Sequence, residues 1–401
     1  MKFSSRINVV KLLNFVLIVP ISLIILLFLI APNPYLAAGS DFISYFTGAS
    51  IIKDNKTHLI YDITTQEEYF ENIIYPYKGE VFNRYISPPF VAIMFLPFTF
   101  INYFTAYKLF FIANLGLFSI FLYILSKVFT RLEEKYKFFY IISFYFIPAA
   151  TTLFMGQTSF LLAIIFLLIY INLAKNRSKE AGMLSAALLV KPQFIIAIPL
   201  VLLLVKKKKQ FLLWFLGVTF FLFLISLLIA GPKALSDYLP SLLSTENPQF
   251  GNRAHQMFSF HAATTYFFFN SNLSNIYSLI VNLVVYLSSL YLFAKRIIKM
   301  RLKTAFILVL FLTLTFSIHV LSHDLTLLLL PIFIIINDTL KPGKTNGVLL
   351  AFALLLFVLP STVSLGNSIY GGLMLFVLSA YVLFRPEILE ERFLRNENSK
   401  T

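Results

Sequence analysis

The sequence contains no cysteine. That excludes disulfides, thiolate metal sites and a cysteine nucleophile, and leaves the redox compartment open. Charge is scarce as well: only 13% of the 401 residues are Asp, Glu, Lys or Arg, where a soluble globular domain carries about a quarter. No internal repeat stands out. This weakens a reading as a secondary transporter built from inverted repeats without removing it, because such repeats are often faint in sequence.

What fills the space is apolar. Hydrophobic residues make up 59% of the chain and the mean hydropathy is +0.82, the composition of a polytopic membrane protein. The net charge of +15 does not point to nucleic acid, since the basic residues lie in short clusters between apolar runs. That pattern is the one positive-inside topology produces. Lys2, Arg6 and Lys11 precede a first apolar run long enough to span, so the expectation is an uncleaved signal anchor, although LAAGS has the look of a cleavage site.

Full spans are expected near residues 12–31, 104–126, 138–155, 158–174, 211–230, 277–294, 304–319, 325–337, 346–361 and 369–384. With both termini inside, 25 of the 33 Lys and Arg fall on the cytoplasmic side. The outer side then receives a first loop at 32–87, a second at 231–276, and the short turns MGQTS, HVLSHD and VSLGNS. Seven of the eighteen acids lie in the first outer loop, and all five histidines (His58, His255, His261, His319 and His323) fall at the outer face. The fold expected is a single all-α integral membrane domain over residues 1–401, about ten helices with amphipathic helices in the outer loop.

Two stretches do not fit simple crossings. Residues 88–101, PPFVAIMFLPFTFI, are short and punctuated by proline, which suggests a partial-depth element. Residues 181–205 are long enough to span, yet KNRSK and KKKK flank them on both sides. A re-entrant hairpin broken at Lys191-Pro192 keeps both clusters inside, since proline disfavours helix at the preceding residue and removes a donor. Non-helical backbone at such depth needs burial in protein or a wet cavity, which marks the break as a candidate site wall.

Several side chains invite chemistry. Asp41, in GSDFISYF, reads either as the cap of a surface helix or as a base held at the mouth of the bundle. Lys191 at the centre of a span costs about 2.5–3.5 kcal/mol on insertion scales; it either snorkels or meets an anionic headgroup, above all a phosphate. His319 and His323 lie one helical turn apart beside Asp324, a spacing weak for metal and better suited to hydrogen bonding or proton handling. No metal or other cofactor is expected. Asn252, Arg253, His255, Gln256 and His261 crowd into GNRAHQMFSFHA, where donor-rich side chains suit sugar hydroxyls and phosphates, or simply form a wet loop.

Taken in order, SDFISYFTGA, THLIYD, RYISPPFVAIMFLPF, MGQTSFLLA and AGMLSAALLVKPQF resemble glycosyltransferase family 87, a GT-C-type group that uses polyprenyl-phosphate sugars. NRAHQMFSFHA and SHDLTLLLLP continue the likeness and depart further from the family's pattern. The resemblance implies an inverting hexosyltransferase of the cytoplasmic membrane, with mannose the best-known donor sugar and an active site on the outer face. It implies Asp41 as general base with His323 beside it, Lys191 and Arg253 on the donor phosphate, and Tyr45, Tyr85, Gln157, Asn252, Gln256, His261 and His319 in substrate binding. The partners implied are the donor lipid, a glycolipid or glycan acceptor and the membrane, with no nucleic acid and no nucleotide site, in keeping with the lack of a glycine-rich phosphate loop. The competing readings are a flippase or transporter of lipid-linked substrates, and a glycan polymerase or ligase.

Overall fold

The computed structural model describes residues 3–31, 33–79, 82–244, 256–268, 274–339, 347–364 and 369–389. Among the described residues the chain is all helical, with no strand. Four stretches are long and apolar enough to cross a membrane: Tyr103–Val128, Lys208–Ser244, Ile276–Lys299 and Ser322–Thr339. Shorter apolar helices of 10–17 residues, Leu302–Phe316 among them, complete the bundle. With helices that turn apolar side chains outward, this is a multi-pass membrane protein.

At the centre runs α15 (Leu302–Phe316), buried on every side from Thr304 to Phe316. A helix apolar all round belongs in a core. The long α12 (Lys208–Ser244) sits at the rim: Leu213, Leu216, Phe220 and Leu228 all point outward, Leu228 to 82% exposure. In water that row would be a liability, whereas lipid accepts it. A sharp break at Gly231 (φ 74°, ψ 173°) turns the last part of α12 onto α5 (Pro89–Phe95) and the turn at Thr57–Leu59.

Residues 181–205 form neither one helix nor a straight rod. Helix α10 (Ser178–Ala186) gives way to a 3₁₀ turn, Lys191 is extended (φ −125°, ψ 95°), a second 3₁₀ turn follows Pro192, and α11 (Ala197–Leu204) returns. The Lys207 amide donates to Ser178 Oγ at 3.3 Å, so the two ends of the segment meet. Gly182 makes the base of this fold-back possible, because a Cβ there would lie 2.4 Å from the carbonyl oxygen of Phe211 on α12.

The two ends of the bundle differ. At one, the basic stretches gather: Arg131 donates its backbone N–H to Asn337 Oδ1 at 3.2 Å, Lys303 pairs with Asp338, and Arg296 reaches the carbonyls of Leu383 and Phe384 at 2.9 Å. At the other lie α3 (Phe42–Lys53), α4 (Ile63–Ile74), the Lys191 break and residues 317–324.

Three expectations need correction. The span expected at 138–155 is two helices, α7 (Tyr136–Ser143) and α8 (Ile147–Met155), because Pro148 starts α8 and cannot continue a ladder from α7. The span expected to reach residue 319 ends at Phe316, and the chain is extended from Ser317. Of the helices expected in the loop at 32–87, α4 is amphipathic, but α3 is not a surface helix: nine of its twelve residues are buried.

Candidate functional site

Asp41 occupies the N-cap position of α3 and does not cap it. Its backbone is already helical (φ −72°, ψ −19°) and its side chain accepts no hydrogen bond from the helix terminus. Instead Gln157 Nε2 donates to Asp41 Oδ2 at 2.8 Å. Gln157 is itself fixed, with Tyr45 Oη donating to its Oε1 at 3.1 Å and Asn114 Nδ2 donating to its carbonyl at 3.0 Å. The turn that presents it depends on Gly156, which ends α8 in the left-handed region (φ 65°) with Phe42 so close that a Cβ would sit 2.6 Å from the Phe42 Cβ. The carboxylate is therefore withdrawn from helix capping and oriented by a buried amide.

A second group approaches from residues 317–324. His323 Nδ1 lies 3.8 Å from Asp41 Oδ2, and His323 Nε2 lies 3.6 Å from Asp324 Oδ2. Asp324 Oδ1 accepts from Lys191 Nζ at 2.6 Å. Asp41, His323, Asp324 and Lys191 thus form one chain of alternating acid and base, drawn from α3, the segment after α15 and the α10–α11 break. The Lys191 side chain is 7% exposed, His323 5% and Asp324 1%, whereas Asp41 is 28% exposed.

These residues line a cavity of about 560 Å³, within the range that holds a small ligand. Asp41, Tyr45, Gln157, Lys191, Gln256, His319 and His323 all face it. Gln256 is brought there because the chain beside it zips to the extended segment, with the Phe258 amide donating to the Val320 carbonyl at 2.6 Å and Ser259 Oγ donating to the Ile318 carbonyl at 2.8 Å. Ile195, Ile196, Leu242, Leu243 and Leu279 give the cavity an apolar wall.

Two expected site residues lie elsewhere. Tyr85 is fully buried, and its hydroxyl donates to the carbonyl of Pro88 at 2.6 Å, so the Tyr-x-x-Pro-Pro element holds its own turn. His261 is buried on α13 (Phe260–Phe268), where its Nδ1 lies 2.8 Å from Ser278 Oγ. Asn252 and Arg253 fall outside the described residues.

Asp324, Arg84, Asn83 and Gln193 line the cavity and were not among the expected site residues. Arg84 donates to Ser244 Oγ at 3.2 Å and Ser241 Oγ at 3.4 Å, at the far end of α12. Half-burial pulls the pKa of its guanidinium below the usual value, yet an arginine so placed stays charged. The signal was present in part: Asp324 adjoins His323 in SHD, and Arg84 adjoins Tyr85 in RYISPP.

A bundle of membrane helices holding a polar, carboxylate-bearing cavity against an apolar wall defines an integral membrane protein equipped to handle a substrate with both polar and apolar parts. The sequence model of glycosyltransferase family 87 matches residues 85–322, more than half of the chain. The chain belongs to glycosyltransferase family 87, and it is a glycosyltransferase. The matched stretch carries Gln157, Lys191, Gln256 and His319; Asp41 precedes it and His323 follows by one residue. No curated protein and no solved structure matches the chain.

Proposed function

We propose that this glycosyltransferase moves a hexosyl unit, mannosyl in the first instance, from a polyprenyl-phosphate sugar to a lipid-linked or glycan acceptor, at the outer face of the cytoplasmic membrane. Asp41 is the general base. The observation that carries this reading is the contrast between the two cavity carboxylates. Asp324 is almost fully enclosed and committed to Lys191, while Asp41 is the more open one, oriented by Gln157 and with an Oδ1 that accepts no hydrogen bond among the described residues. A base must reach its proton. Only Asp41 satisfies that.

The reaction asks little else. The acceptor oxygen attacks the anomeric carbon as its proton passes to Asp41, and the bond to the phosphate oxygen breaks with its electron pair leaving on the lipid phosphate. One displacement with one base and no covalent intermediate inverts the configuration. The enzyme supplies orientation, a base and positive charge for the leaving group. Lys191 gives one N–H to Asp324 and has two more for a phosphate, with Arg253 assigned to the same phosphate. Tyr45, Gln157, Gln256 and His319 are assigned to the sugar and acceptor, and His323 to holding the acceptor beside Asp41. The apolar wall suits the first isoprene units of the donor.

The fold-back at 178–207 is read as a hairpin that re-enters the membrane from the cytoplasmic side, which keeps KNRSK and KKKK together and delivers Lys191 to depth. The donor class is tested with purified protein in liposomes, offered a polyprenyl-phosphate hexose or the matching nucleotide sugar. Transfer from the lipid donor alone is expected. Transfer from the nucleotide sugar alone would overturn the donor assignment.

A further inference from the structure

Asp324 has no role in the scheme above, yet it is the most enclosed charged group in the cavity. Both of its oxygens are engaged. Oδ1 accepts from Lys191 Nζ at 2.6 Å and lies 3.5 Å from Ser159 Oγ; Oδ2 accepts from the Leu321 amide at 3.2 Å and lies 3.6 Å from His323 Nε2. The Leu321 contact ties the carboxylate to its own turn, so the side chain is fixed from both sides. We propose that Asp324 is a positioning residue for the transfer: one carboxylate sets the place of Lys191 on the phosphate side and of His323 on the base side, and so fixes the separation between Asp41 and the bound phosphate.

The physical argument is one of geometry and of buried charge. A lysine at 7% exposure is not stable there alone, and removing one partner of a buried pair leaves the other uncompensated. The pair therefore sits where Asp324 puts it. His323 hangs between two carboxylates, its two ring nitrogens shared between Asp41 and Asp324 at 3.8 and 3.6 Å. Both gaps are a little longer than hydrogen bonds, so a sub-ångström shift on substrate binding closes either one. A carboxylate facing an imidazole that in turn faces the reacting group follows the order of a catalytic triad, with contacts longer than the hydrogen bonds of one. Misplacement of reacting groups by about 1 Å costs on the order of 100-fold in rate. This inference rests on the assignment of Lys191 to the donor phosphate.

The experiment compares wild type, Asp324→Asn, Asp324→Glu and the double variant Lys191→Met/Asp324→Asn, each in liposomes and normalised to folded protein. Two quantities are read: binding of a polyprenyl phosphate, and donor KM and kcat with a polyprenyl-phosphate hexose. Asp324→Asn is expected to bind the polyprenyl phosphate at least about 10-fold more weakly and to lose about 100-fold in kcat/KM. Asp324→Glu keeps the charge and regains part of both. The double variant carries no uncompensated ammonium, so it folds as well as wild type and remains as impaired as Asp324→Asn. Wild-type binding and kinetics in Asp324→Asn, or in the double variant, would overturn the positioning role. Failure of the wild type itself to bind polyprenyl phosphate or use the donor would instead overturn the reading of the site, and this inference with it.

Discussion

Among the described residues a Lys–Asp ion pair joins separate elements twice, once at each end of the bundle, while a third, Lys233–Asp237, lies exposed within α12. Lys303 and Asp338 join α15 to α16 (Leu329–Thr339) at the basic end, with side chains 20% and 14% exposed. Lys191 and Asp324 join the α10–α11 break to the segment after α15 at the cavity end, with side chains 7% and 1% exposed. The first stands among helix ends, beside the contacts Arg131 makes with Asn337, and ties neighbouring helices together. The second has a histidine and a second carboxylate within 4 Å of one another and a cavity in front of it. Identical chemistry ties helices together in one place and lines the cavity of the proposed site in the other. The surroundings decide which, not the pair.

That contrast is open to a direct break. Lys191→Ala is expected to lose on the order of 100-fold in donor kcat/KM while acceptor KM holds, with partial recovery in Lys191→Arg, where charge returns in a different geometry. Lys303→Ala is expected to leave both kinetic constants within about twofold while lowering thermal stability, since it strips the largely buried Asp338 of its partner. Equal kinetic losses in the two alanine variants would mean that position in the bundle, and not the cavity, sets their importance. Such an outcome would return Lys191 to a structural part.

The smallest effect concerns the fold-back that carries Lys191. Single cysteines at Lys179 and at Lys207, in a chain with no native cysteine, are expected to leave transfer unchanged and to react with an impermeant thiol reagent from the cytoplasmic side alone. Reaction from opposite sides would mean a full crossing, and the account of Lys191 at the end of a re-entrant hairpin would fail.

How much of this was legible in the sequence follows from what each residue depends on. Lys191-Pro192 announced itself locally: a lysine in an apolar run and a proline that breaks it are both visible without a fold, and the break lies where they put it. Gln157 was named through the family resemblance, and His323 through its spacing from His319 beside Asp324. The pairing of Asp324 with Lys191 could not be read, since 133 residues separate them and nothing in SHD says which lysine will arrive. Arg84 was hidden for the same reason, its serine partners lying beyond the break in α12. Tyr85 looked like part of a binding element, whereas its hydroxyl meets the Pro88 carbonyl and its backbone meets the Gln66 side chain from α4, a partnership the sequence does not announce. The split between α7 and α8 was missed because the run from Phe138 to Phe154 is apolar almost throughout, and composition does not reveal that the ladder stops at Pro148. The helical, membrane-spanning nature of the chain was plain from composition, because exposing so much apolar surface to water has no other solution.

The central claim is that Asp41 is a base and not a cap. Asparagine keeps the size and hydrogen-bonding shape of the side chain and cannot take a proton near neutral pH. As a helix cap it is about as good as aspartate, and the structure shows no capping bond to lose. The measurement is the turnover of Asp41→Asn against wild type, in liposomes with a polyprenyl-phosphate hexose, at equal folded protein. A loss of about 100-fold or more, with donor binding and thermal stability retained, is the expected result, since a positioned proton transfer contributes about 10²–10⁴. A variant that keeps more than about a third of wild-type turnover would contradict it, because no such contribution would then have been removed.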